Sequence, residues 1–95
     1  MHAGVVAFRV RPDRMEEAVR TYLGSVVPAM REQRGFRGVL VLTDNEADEG
    51  YSISLWETED ALRASAPSNQ ELVAMAQHFL TSAPTQEIYE VLVQE

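Results

Sequence analysis

Phe36-Arg37-Gly38-Val39-Leu40-Val41-Leu42-Thr43, the polar run Asp44-Asn45-Glu46-Ala47-Asp48-Glu49-Gly50, and Tyr51-Ser52-Ile53-Ser54-Leu55-Trp56 are the stretch on which the fold turns. Both flanks are rich in β-branched, aliphatic and aromatic residues, and the segment between them carries turn formers. The pattern predicts a hairpin of two strands. Side chains alternate along a strand, so Phe36, Gly38, Leu40 and Leu42 are expected on one side and Arg37, Val39, Val41 and Thr43 on the other. The returning strand sets Ser52, Ser54 and Trp56 on a single face.

Upstream of the hairpin, Gly4 to Val10 is rich in β-branched residues and stops short of Pro12, which predicts a first strand. A helix is expected to open at Pro12-Asp13, with Asp13 as its cap and Glu16 completing a capping box. Met15, Ala18, Val19, Tyr22, Leu23, Val26 and Met30 follow helical spacing on one stripe. The ring of Pro28 would collide with the Gly24 carbonyl, so a kink is expected near Gly24-Ser25. Gly35 suits the left-handed stop of this helix. Downstream, Thr58 is placed to cap a short helix whose first turn holds Glu59 and Asp60. Pro67-Ser68-Asn69 breaks it. Ser68 with Glu71 forms a second capping box, and Leu72, Met75, Ala76 and Phe79 give the next helical stripe. Pro84 ends that helix, and Ile88 to Val93 is expected as the last strand.

The resulting order, β-α-β-β-α-β, is the ferredoxin-like α+β arrangement: a four-stranded antiparallel sheet with both helices on one face. A sheet with its other face in water should alternate apolar with polar residues. These strands do not. Val5 and Ala7 oppose Val6, Phe8 and Val10; Leu40 and Leu42 oppose Val39 and Val41; Ile88 and Leu92 oppose Tyr89, Val91 and Val93. Leaving such a face in water costs several kcal/mol at about 25 cal/mol per Å². A second copy of the chain, making a homodimer, is the simplest cover.

The chain has 95 residues, a length that holds one domain over 1–95. Fifteen acidic residues against eight bases, all arginine, give a net charge of −7. That balance disfavours nucleic acid and anionic membrane surfaces as partners. There is no cysteine, which excludes disulfides, thiolate nucleophiles and Cys-ligated metals. No apolar run approaches the roughly 20 residues of a membrane span. Positive charge follows the first apolar run, the reverse of a secretory signal, so a cytoplasmic protein is expected.

Gly35 to Leu42, then Tyr51 to Leu62 (Tyr-Ser-Ile-Ser-Leu-Trp-Glu-Thr-Glu-Asp-Ala-Leu), resemble the antibiotic biosynthesis monooxygenase family, and Val27-Pro28-Ala29-Met30 fits the same pattern. The resemblance spans nearly the whole chain. It implies a dimeric α+β barrel in which two four-stranded sheets pack together. The family includes quinol and polyketide monooxygenases and haem-degrading enzymes. In it, a tryptophan at the place of Trp56 lines the substrate pocket. Members active on aromatic polyketides tend to carry an asparagine where this chain has Ser52. Haem-degrading members use a second tryptophan where this chain has Ser65, and an asparagine in the first strand, which Gly4 to Val10 lacks.

The candidate pocket residues are Trp56, Ser52, Ser54, Tyr22, Met75 and Phe79. The two serines beside one large ring make an uneven surface with polar groups to orient a ligand. Tyr22 lies on the buried helix stripe, where its hydroxyl needs a partner. Met75 and Phe79 would supply apolar walls. His78 falls off its helix stripe and reads as a surface residue, as does His2 at the terminus. Arg9 and Arg37 are expected at strand edges, paired with Glu90. The acidic turn from Asp44 to Glu49 lacks the glycine and terminal glutamate of a calcium loop. No phosphate loop, zinc spacing or Ser-His-Asp set appears, so neither metal nor cofactor is expected. Three functions remain: a cofactor-independent monooxygenase acting on a small aromatic or quinol-type metabolite, a non-catalytic homodimer that binds a small apolar molecule, and a purely structural or partner-binding dimer whose pocket is filled by its own side chains.

Overall fold

The computed structural model describes residues 1–65, 79–82 and 84–95. The elements run β1 (His2–Arg9), α1 (Met15–Thr21), a π-helical turn (Tyr22–Val26), α2 (Val27–Arg31), β2 (Phe36–Asp44), β3 (Glu49–Trp56), a helical run α3 over 59–65, and β4 (Thr85–Glu90). The strands form one antiparallel sheet in the order β2-β3-β1-β4. This is the expected ferredoxin-like α+β sheet, with β1 and β3 at its centre.

Residues paired across an antiparallel ladder share a face, which lets the register sort the side chains. Val6 lies between Ser52 and Gln86, Gly4 between Ser54 and Ile88, and His2 between Trp56 and Glu90. On β2, Val41 pairs with Ser52, Val39 with Ser54 and Phe36 with Trp56. This face carries the core. Val26, Val27, Met30, Trp56 and Leu62 form its buried cluster, with Tyr22, Phe36, Val39, Ala61 and Ile88 packed around them.

Phe36 is therefore not on the side of Leu40 and Leu42, as strict alternation requires. A register shift between Phe36 and Gly38 leaves Arg37 unmatched, and Gly38 takes φ +153°, a region natural only to glycine. The bulge turns Phe36 over. Its ring then meets Trp56 edge to face, with centroids 5.4 Å apart.

The first helix also departs from its expected start. Asp13 does not cap it: Arg14 occupies the cap position without a side-chain hydrogen bond. The Arg14 amide instead closes a turn onto the Arg11 carbonyl at 3.0 Å, which puts Asp13 at φ 65°. The irregularity expected at Gly24-Ser25 takes the form of the π turn, with Pro28 at the start of α2. The wider turn absorbs the residue lacking an amide hydrogen. It also moves the buried stripe, leaving Leu23 exposed and burying Val27 beside Val26. Gly35 does adopt positive φ, at 86°. A Cβ there would lie 2.7 Å from the Ala61 Cβ, so α3 packs against bare backbone.

Thr58 caps α3 as expected, its Oγ1 accepting from the Ala61 amide at 3.1 Å. The second capping box, Leu72, Met75, Ala76 and His78 lie outside the described residues. The last strand is Thr85–Glu90, not Ile88–Val93. Its pairing with β1 ends at His2–Glu90, and beyond that only the Val91 amide reaches the Met1 carbonyl, at 2.9 Å.

The opposite face of the sheet carries Leu40, Leu42, Tyr51 and Tyr89, which are 46–56% exposed, with Val5, Ala7, Ile53 and Leu55 partly covered between them. Among the described residues, these four large side chains stay open to solvent on this side. No helix among the described residues is long and apolar enough to cross a membrane.

Candidate functional site

The strand pairing presents Ser52, Ser54 and Trp56 to the helices at every second position of β3. Trp56 is fully buried and Ser52 and Ser54 nearly so. The indole N–H of Trp56 donates to the Ser54 Oγ at 2.9 Å, and Ser54 in turn donates to the Gly4 carbonyl at 3.4 Å. Both groups are thus satisfied internally. Ser54 orients the ring and is not itself free for a ligand. Gly4 permits this, since a Cβ there would stand 3.1 Å from the Ser54 Oγ.

Ser52 has a different partner. The π turn begins at Tyr22, and the phenol of Tyr22 is hydrogen-bonded to the Ser52 hydroxyl. Two hydroxyls joined by one hydrogen bond keep one proton and several lone pairs for a third group. Burial pushes the Tyr22 phenol above its ordinary value near 10, and the hydrogen bond to Ser52 offsets only part of this. At neutral pH Tyr22 remains protonated. It is built to donate a hydrogen bond, not to remove a proton.

The structure thus brings Tyr22, Ser52, Ser54 and Trp56 together. Phe79 lies elsewhere, buried beneath the Arg14 guanidinium, which sits 5.4 Å from its ring centroid, and tied through its carbonyl to the Arg11 amide at 2.8 Å. Met75 lies outside the described residues. Arg9 and Arg37 do not pair with Glu90: Arg9 meets Glu49 at 3.2 Å, and Arg37 meets Glu57. Each strand arginine finds a carboxylate beside it before reaching across to β4. His2 holds its Nε2 3.6 Å from Glu59 and its Nδ1 is buried without a partner. It stands opposite Trp56, about 13 Å along the strand from the row of Ser52. Ser65, in the place of the second tryptophan of haem-degrading members, is buried and donates to the Leu62 carbonyl at 2.6 Å.

The antibiotic biosynthesis monooxygenase family model matches residues 1–80. The chain belongs to that family. Among curated proteins, none matches it in sequence. Solved structures share its fold. A Streptomyces coelicolor monooxygenase from the gene ActVA-Orf6, in complex with the ligand nanaomycin D, superposes with TM-score 0.78 at 21% identity, over 99% of this chain and 92% of that one. Rv0793 from Mycobacterium tuberculosis gives 0.75 at 20% identity, covering 98% and 96%. A conserved protein from Methanosarcina mazei Go1 gives 0.77 at 18%, covering 93% and 89%.

In this member of the family, no three His, Asp or Glu side chains converge as a metal set among the described residues, the turn Asp44–Glu49 included. A cleft of about 310 Å³ opens at the other end of the sheet, lined by Phe8, Arg9, Glu49, Tyr51, Ser82 and Thr85 among others. It lies away from Trp56, and its arginine and glutamate are already paired. One residue of the helix-facing side carries no signal in the apolar periodicity. Gln86 shares the row of Ser52, one strand beyond Val6, but the last strand was expected to begin two residues later.

Proposed function

We propose that the chain is a homodimeric monooxygenase that oxidises a small phenol or quinol with O₂, using neither metal nor flavin. The observation that carries this reading is the Tyr22–Ser52 hydroxyl pair beside the Trp56 core. A phenolate or enolate oxygen accepts the free proton of the pair, and such donors stabilise charge best where water is scarce. The electron-rich ring then reduces O₂ itself. For a phenol oxidised to a quinone, a C–H carbon takes one oxygen atom as a carbonyl. The other leaves as water with the two hydrogens that the ring gives up. The substrate loses four electrons and O₂ gains four, so no further reductant is needed. Membership in the family and the fold shared with a monooxygenase that binds nanaomycin D support the reading. Fold alone does not decide function, so the hydroxyl pair bears the argument.

Pairing of two copies through the exposed sheet face belongs to the same proposal. It would bury Leu40, Leu42, Tyr51 and Tyr89 of each copy, and a self-complementary face is what two-fold association requires.

Oxygen consumption with a panel of hydroquinones and anthrones tests the chemistry. The expected result is uptake by the wild type that falls at least tenfold in Tyr22→Phe. Uptake no greater than that of a Trp56→Ala control sinks the reading. The raised Tyr22 pKa favours one second reading, a dimer that holds a phenol without turning it over. Saturable quenching of Trp56 fluorescence with no oxygen uptake would select it.

A further inference from the structure

The helix-facing side of the sheet holds a second polar group that neither reading above uses. Across the row Val41, Ser52, Val6, Gln86, the two polar members are Ser52 and Gln86, with one strand between them. Two strand spacings put their Cα atoms about 10 Å apart. The Gln86 side chain does not stand straight up from its strand. It lies over β1, because a Cβ on Gly4 would meet the Gln86 Nε2 at 3.2 Å and the Ser54 Oγ at 3.1 Å. The amide therefore rests above Gly4, where an added Cβ would press on it. Among the described residues the Gln86 amide has no hydrogen-bond partner. An amide with two donors and an acceptor, held over the same face as the hydroxyl pair, is available to a third party.

We propose that Gln86 is a specificity-determining residue: its amide donates to a second oxygen of an aromatic ligand whose phenol oxygen is held by Tyr22 and Ser52. The inference rests on the phenol-site reading and narrows it to rings carrying oxygens at opposite ends, as para-quinols and para-acyl phenols do. The two strand spacings between their Cα atoms match the length of one substituted ring with an oxygen at each end. In the row between Ser52 and Gln86, Val6 is an apolar neighbour for the ring.

Two redox-inert ligands of matched size separate the contributions. 4-Hydroxyacetophenone offers a phenol and a para carbonyl, whereas 4-ethylphenol offers the phenol alone. Titration calorimetry on the full chain should give tighter binding of the ketone by about fivefold, the range of one net hydrogen bond. Gln86→Met should remove that preference and leave 4-ethylphenol unchanged. Tyr22→Phe should weaken both ligands. Equal affinity of the wild type for the two ligands, or a preference that survives Gln86→Met, overturns the assignment of Gln86 and leaves the phenol site standing. If neither ligand binds, the phenol site itself fails and the Gln86 assignment falls with it.

Discussion

Leu40→Glu is the most direct perturbation of the proposed dimer. Leu40 is 56% exposed and sits in the open sheet face with Leu42, Tyr51 and Tyr89. Full burial of a leucine contributes about 1.5–3 kcal/mol, so a half-exposed one retains roughly 1 kcal/mol to be gained on association. Eight such side chains in a symmetric pair supply about 8 kcal/mol, and Val5, Ile53 and Leu55 add to this. The sum is comparable with the 4–15 kcal/mol or so that association costs, which makes the dimer sensitive to single changes. Glutamate at position 40 removes about 2 kcal/mol of burial over the two copies and places two carboxylates in a drying interface. A combined loss of about 4 kcal/mol raises the dissociation constant roughly a thousandfold. Sedimentation equilibrium at micromolar concentration should give twice the 10.6 kDa chain mass for the wild type and the chain mass for the variant. Trp56, on the opposite face and fully buried, should keep its blue-shifted emission in both. A wild-type protein that sediments at the chain mass refutes the reasoning, whatever the variant does.

Two further outcomes follow from the core. Since the folded-state Tyr22 pKa is raised, the unfolded chain loses its phenolic proton first; stability should fall as pH rises above about 10, until the folded-state value is passed. Tyr22→Phe should abolish that alkaline loss in urea denaturation followed from pH 8 to 11, and a parallel loss in the variant would contradict the burial of the phenol. Gly35→Ala forces an alanine to φ 86° and drives its Cβ to 2.7 Å from that of Ala61, so it should cost about 2 kcal/mol or more, read as a lower urea midpoint; an unchanged midpoint would mean that the turn relaxes freely.

Element order, the hairpin and the two-sided apolarity were all legible because each rests on many residues at once. What escaped the sequence came from single residues that shift the phase. The bulge at Arg37 reverses Phe36, and nothing in Phe-Arg-Gly-Val announces an unpaired residue until a partner strand fixes the register. The π turn did the same to Leu23 and Val27: Pro28 signalled trouble at Gly24-Ser25 but not that the helix would widen instead of bending. Apolar residues alone point to a last strand at Ile88–Val93, whereas its length is set by the extent of β1, which pairs even polar Thr85, Gln86 and Glu87. That mismatch hides Gln86. Within the candidate site, periodicity places Ser52, Ser54 and Trp56 on one strand face and Tyr22 on the buried helix stripe, whereas the pocket role of Trp56 comes from the family resemblance. The division of labour between the serines, one serving the indole and the other the phenol, depends on the positions of single hydroxyls.

The widened turn at Tyr22–Val26 gives helix length a chemical meaning. A π turn is a bulge inside an α-helix, so a homologous chain with one residue fewer in this stretch would close it to a regular helix and reset the position of Tyr22 over Ser52. Such a relative could keep every residue of β3 and still lose the phenol that Ser52 meets. Descent with a single deletion in the first helix would then be enough to break the Tyr22–Ser52 contact, with the sheet left untouched.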